Sequence, residues 1–207
     1  MELTRKEIDD LITKYDSKSK VVRLSDWESM YDDRSAEINY ALTREYKPRV
    51  VVEYGANLGR CTHDILRALL DNGLPFVFKS YEISSNRENA QAKIDNVFGK
   101  DSIKIGGDVM QAKDMPKKID YLFLDHSHDN ILSEWTWREI LPRVKKGGLI
   151  QIHDIPLIND YEIGKRDGVF DETRQIVEMQ KQGILPFEKL YWVFPECGFE
   201  GSWWIKK

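Results

Sequence analysis

Acidic residues stand where aliphatic or aromatic runs end: Glu53 in VVEYG, Glu82 in SYEIS, Asp108 in GGDV and Asp125 in FLDHSHD. Two glycines four apart, Gly55 and Gly59, follow the first acid with Asn57 between them. Glycine lets a backbone approach a ligand where a Cβ would intrude. A nicotinamide-dinucleotide turn has the spacing G-x-G-x-x-G and meets a pyrophosphate at a helix N-terminus. Here the spacing is G-A-N-L-G, and the preceding carboxylate opposes a pyrophosphate and suits a cation. A second group follows: Asp125 with His126, His128 and Asp129, then His153 and Asp154 in IQIHDIP. Carboxylates from neighbouring strand tips can hold a hard divalent cation such as magnesium, and a bound hydroxyl there becomes more acidic. A histidine, titrating near neutral pH, can take the released proton.

These residues need a scaffold, and the order of elements supplies one. Residues 4–15 and 35–46 carry aliphatics at helical spacing, and Pro48 stops the second helix. Then RVVVEY reads as a buried strand and CTHDILRALLDNG as an amphipathic helix with a glycine stop. The alternation continues with FVFKSYE, SNRENAQAKIDNVFG, SIKIGGD, IDYLFLD, NILSEWTWREIL, GGLIQIHD and DETRQIVEMQKQG. The final runs, FEKLYWVF and GSWWIKK, leave no room for a crossover helix and must pair as an antiparallel hairpin. Alternating strands and helices predict an α/β, doubly wound, mostly parallel sheet. Residues 1–47 form an N-terminal helical extension and residues 48–207 the ligand-binding domain. In 207 residues there is room for one sizeable core.

Composition excludes several classes. Lys and Arg total 31 against 35 Asp and Glu, so no basic surface calls for nucleic acid or an anionic membrane. The opening MELTRKEIDD has no apolar core, so no signal peptide is expected, and no apolar run has membrane-spanning length. Cys61 and Cys197 suggest no disulfide framework and no zinc site. The expectation is a cytoplasmic protein acting on a small molecule, alone or as a homo-oligomer.

In an open parallel sheet, ligands bind at the carboxyl ends of the strands. Glu82 there can accept from two ribose hydroxyls, and Asp108 from an adenine amino group. Either acid could instead be a helix cap or turn residue. Acids at successive strand tips, without a phosphate cradle, describe a ligand with an amine, a ribose and an adenine. S-adenosylmethionine is such a ligand.

The five stretches VVEYGANLGRCT, SYEIS, GGDV, IDYLFLDHSHD and VKKGGLIQIHD, in that order, resemble the class I S-adenosylmethionine-dependent methyltransferases. The resemblance covers residues 48–207 and implies a Rossmann-like seven-stranded sheet whose last strand is reversed. It implies donor binding by Glu53, Gly55, Asn57, Gly59, Thr62, Glu82, Ile83, Asp108, Val109 and Asp125. Asp125 and His128 keep the Asp-x-x-His spacing of the metal-dependent sugar and natural-product O-methyltransferases, a group related to macrolide and cephalosporin-biosynthesis enzymes. That likeness implies catalysis by His128 and Asp125 on a hydroxylated small molecule. It also implies Asp125, His153 and Asp154 as ligands for Mg2+ or another divalent cation. Three positions depart from the pattern: His126 replaces a glycine, Asp129-Asn130 an aromatic, and His153 a glutamate. A histidine ligand shifts preference toward softer metals. A non-catalytic S-adenosylmethionine-binding subunit is the alternative. Residues 155–170 form a long loop, a candidate lid carrying Tyr161, Lys165 and Arg166.

Overall fold

The computed structural model describes residues 2–27, 32–100, 102–127, 129–153, 171–192 and 201–207. Four helices come first: α1 (Arg5–Lys14), the short α2 (Ser17–Lys20) and α3 (Leu24–Trp27), and α4 (Asp33–Tyr46). Thr4 and Glu7 close a capping box at the start of α1, which satisfies two otherwise orphaned backbone amides. Asp32 caps α4 by accepting from the Ser35 amide at 2.9 Å. Then follow β1 (Val50–Tyr54), α5 (Arg60–Asn72), β2 (Val77–Tyr81), α6 (Arg87–Phe98) and β3 (Ile105–Gly106). The second half holds β4 (Ile119–Leu124), α7 (Asn130–Trp135), β5 (Val144–His153), α8 (Asp171–Lys181), β6 (Phe187–Trp192) and β7 (Gly201–Lys206).

The seven strands order as β3-β2-β1-β4-β5-β7-β6. The pairs from β3 to β5 are parallel, and β7 runs antiparallel between β5 and β6. This is the doubly wound α/β, Rossmann-like sheet with a C-terminal antiparallel hairpin. Strand alternation sorts the core into two faces. Val51, Tyr121 and Phe123 pack with Ile38, Leu42 and Ile65, so α4 and α5 cover one face. Val52, Leu122, Leu124 and Ile150 pack on the other with Ile140 and Ile176.

Two elements depart from the sequence expectation. The strand expected over 102–108 shrinks to Ile105–Gly106. The Gln91 side chain on α6 accepts from the Ile105 amide at 2.8 Å and donates to the Ile103 carbonyl at 3.0 Å. These bonds replace ladder bonds with a side chain. The helix expected over 130–141 is regular only to Trp135, then widens to a π turn over Thr136–Ile140 and tightens to a 3-10 turn over Leu141–Arg143. Pro142 has no N–H to give and its ring crowds the carbonyl four residues back, so the α-helical ladder cannot pass through it. No described helix is long and apolar enough to cross a membrane.

Candidate active site

The turn after β1 is laced to both neighbouring strand tips. Gly55 and Ala56 donate to the Tyr81 carbonyl at 2.9 and 3.2 Å, and the Asp125 amide donates to the Tyr54 carbonyl at 3.0 Å. Gly55 has φ 82°, and a Cβ there would stand 1.5 Å from the Asp125 carbonyl oxygen. No other residue fits that approach. Asn57 also holds a left-handed φ of 46°, which asparagine tolerates better than most residues. Its amide donates to Glu82 Oε2 at 2.5 Å, and the Ser84 amide donates to Glu82 Oε1 at 2.7 Å. The carboxylate is thus fixed by one amide on each oxygen, and each oxygen retains a second accepting position.

A cavity of about 570 Å³ opens beyond this turn, at the carboxyl ends of β1, β2 and β4. Of the donor-binding residues expected from sequence, Gly55, Asn57, Glu82, Ile83, Asp108, Val109 and Asp125 line it. Asp108 is also a cap: Oδ1 accepts from the Met110 amide at 2.9 Å and Oδ2 from Gln111 Nε2 at 2.8 Å. The cap reading is therefore what the geometry displays, with the carboxylate still at the wall.

Glu53, Gly59 and Thr62, also expected from sequence to bind the donor, are not among the residues that line the cavity. Glu53 lies inside β1 and points toward α5, fully buried. Its Oε2 accepts from Thr62 Oγ1 at 2.7 Å and Ser80 Oγ at 2.5 Å, while Oε1 has no hydrogen-bond partner among the described residues. Burial pushes its carboxyl up to about 7; the two hydroxyls oppose the rise, and the Asp125 and Glu82 charges add to it. Thr62 acts on Glu53 rather than on the cavity. Gly59, at φ 86°, starts α5, and a Cβ there would touch Ala90 of α6 at 3.4 Å. Its task is a turn and a helix contact.

On the other side, His153 Nδ1 lies 3.5 Å from Asp125 Oδ1, with the imidazole buried. His126, which stands where the family pattern has a glycine, also lines the cavity, and its Nε2 stands 3.4 Å from Glu172 Oε1. Glu172 was absent from the sequence candidates. Its only signal was an acid opening the helix after the long loop. Asp129 caps α7 by accepting from the Leu132 amide at 2.9 Å. The Ser127 hydroxyl, followed by that amide, holds its carboxyl below the usual range. His128, Asp154 and the candidate lid 155–170 lie outside the described residues.

Asp125 and His153 face each other, but no three His, Cys, Asp or Glu side chains among the described residues converge to hold an ion. A hard cation takes six or more oxygen ligands or waters, and one carboxylate with one imidazole does not make that set. The described residues do not fit a metal by themselves.

A family model described as a methyltransferase domain matches residues 52–155. Comparison with curated proteins by sequence gives no match. In fold, the chain is similar to an O-methyltransferase from Bacillus cereus in complex with SAH, with a TM-score of 0.69, 12% identity, and coverage of 99% of this chain and 92% of that one. It is similar to the O-methyltransferase TomG of Streptomyces achromogenes, involved in tomaymycin synthesis and solved with SAM. There the TM-score is 0.66 and the identity 12%, over 95% of this chain and 89% of that one. An SAH-bound methyltransferase of Podospora anserina gives 0.66 at 15% identity, over 100% and 98% of the two chains.

Proposed function

Because the chain belongs to the family of methyltransferase domains, we propose that it moves a methyl group from S-adenosylmethionine to a hydroxyl of a small molecule. The observation that carries this reading is Glu82: a carboxylate held by two backbone amides at the wall of a cavity beside a glycine turn. Such a group accepts from a pair of ribose hydroxyls. On the same wall, Asp108 offers an acceptor to an adenine amino group. The O-methyltransferases similar in fold, two of them solved with SAM or SAH, support the choice of donor and of oxygen as nucleophile.

Bound there, S-adenosylmethionine would supply an electrophilic methyl group on a positively charged sulfur. The chain's own part is positioning and proton handling. Gly55 lets the β1 and β4 turns meet, so that Asp125 is held at the cavity wall beside the glycine turn. Asp125 is proposed to orient the acceptor hydroxyl and His128 to take its proton as the oxygen becomes a nucleophile. Fixing both reactants in one cavity removes most of the entropic barrier to their encounter.

Calorimetric titration with S-adenosylmethionine tests the reading, with a nicotinamide dinucleotide as control. Binding of the sulfonium donor alone is expected, weakened about tenfold in Glu82→Gln, which replaces a charge-assisted acceptor with a neutral one. Binding of the dinucleotide instead, or donor affinity untouched in Glu82→Gln, overturns it.

A further inference from the structure

The amino ends of the parallel strands, opposite the cavity, carry a row of cations. Lys47 and Arg49 precede β1, Lys117 and Lys118 precede β4, and Lys145 and Lys146 lie at the start of β5. These strands are neighbours: Val51 stands beside Tyr121 and Ile119 beside Val144. All six residues are exposed. Lys104 before β3 and Lys207 after β7 extend the row across the sheet. Adjacent strands stand about 4.8 Å apart, so charges on three of them lie within about a Debye length and act together. The whole-chain balance of 31 basic against 35 acidic residues conceals this distribution.

The backbone pushes two of the lysines outward. Between the pairs Ile119–Val144 and Tyr121–Leu149, β4 advances two residues and β5 five. The surplus loops out as Lys145, Lys146 and Gly147, all exposed, with Gly147 at φ 77°. A cation at a helix C-terminus offsets the dipole there, which accounts for Lys47 at the end of α4. The lysines before β4 and in β5 answer no such dipole, since sheets have little of their own. Asp120, the acid within the row, is already engaged: it accepts from the Arg49 and Val50 amides at 3.0 and 2.9 Å and pairs with Lys145. Lys117, Lys118 and Lys146 pair with no acid among the described residues. Glu45, Asp71 and Asp114, on segments that lead to this end, have cations of their own in Lys14, Arg67 and Lys79.

A second, independent observation is apolar. Leu70 and Val97 stand in the last turns of α5 and α6, Val77 opens β2, and Ile184 lies between α8 and β6, so all four reach the same end of the sheet. They are 48%, 51%, 45% and 60% exposed. We propose that this amino-end face docks on an anionic phospholipid bilayer. Each lysine near such a surface adds to the attraction, and aliphatic side chains standing in water gain by entering the headgroup region. Aliphatics offer no stacking platform for bases, which favours lipid over nucleic acid. The cavity lies at the carboxyl ends of the strands, so docking leaves it open to solvent. The inference rests on the fold and the surface, independently of the methyl-transfer reading.

The test sediments the full-length protein with vesicles of equal parts phosphatidylserine and phosphatidylcholine, and with vesicles of phosphatidylcholine alone. Binding to the first and not the second is expected, and it should be lost in high salt. Lys117→Gln/Lys118→Gln/Lys146→Gln should weaken it about tenfold or more. Lys6→Gln/Lys18→Gln/Lys20→Gln removes the same charge from the N-terminal helices and should weaken it far less. Leu70→Ser/Ile184→Ser should also weaken it, because that contact is apolar. No binding to the anionic vesicles, equal binding to both kinds, or equal loss in the two triple variants each overturns the proposal. Binding unmoved by Leu70→Ser/Ile184→Ser, or a polynucleotide bound more tightly than the vesicles, gives the face to another polyanion and overturns it too. Donor titration, expected unchanged in every variant, reports separately: if the donor never binds, the methyl-transfer reading falls and this inference is still decided by the vesicles.

Discussion

Replacing Glu53 by glutamine should change how stability depends on pH. The carboxyl is fully buried and displaced from an ordinary 4.5 to about 7. Between those values the native chain keeps a proton that the unfolded chain has released. Stability is therefore complete below about pH 4.5 and drains away as pH rises through 7. Over that window the loss is about 3 kcal/mol, at 1.36 kcal/mol for each pH unit between the two values. Glu53→Gln keeps the volume and an oxygen for Thr62 and Ser80, and it does not titrate. The variant should gain about 3 kcal/mol on the parent between pH 4.5 and pH 8. A chain of this size shifts its Tm about 2–4 °C per kcal/mol, so the gap should open by roughly 6–12 °C. Denaturant unfolding of donor-free protein at several pH values measures it. Any fixed offset from the new amide cancels, because only the change with pH is read. A parent-minus-variant difference that stays level from pH 5 to pH 8 refutes the argument.

Gly55→Ala should fail to fold or lose more than about 4 kcal/mol, a size reserved for severe mechanisms, because its Cβ would sit 1.5 Å from the Asp125 carbonyl oxygen. Gly73→Ala is the control: its φ of 64° is left-handed but nothing lies within 4 Å of the added Cβ. It should cost only about 1–2 kcal/mol, and thermal melts that rank the two variants equally count against the close-approach reading. Arg60 is buried and donates from Nε and Nη2 to the Val22 carbonyl at 3.0 and 2.8 Å, while pairing with Asp33. Arg60→Met should cost about 2 kcal/mol, the worth of charge-assisted hydrogen bonds, and expose residues 17–27 to protease; an unchanged digestion pattern argues against the clamp.

The alternation of helix and strand was legible because burial on two faces makes parallel strands continuous apolar runs, as in VVVEY and YLFL. Local chemistry was legible too: the glycine stop expected after CTHDILRALLDN is Gly73, which ends α5. The C-terminal hairpin followed from chain length alone, since a parallel return needs a crossover the chain does not have. The short helices α2 and α3 were missed, being single turns held by tertiary contacts such as the Val22 carbonyl on Arg60 rather than by periodicity.

Sequence by itself determined that acids stand at the strand tips and that a glycine turn follows β1. Only the tertiary structure decided which acids line the cavity. Glu53 pairs in register with Ser80 inside the sheet, while Glu82 lies one residue beyond the last paired position of β2. That small difference along the strands puts one carboxylate under α5 with two hydroxyls and the other at the cavity wall with two amides. The pairing of His126 with Glu172 was likewise beyond reach, because it joins residues 46 positions apart through the packing of α8 against α7. Period and propensity are properties of a few neighbouring residues; register and distance across the fold are properties of the packed chain.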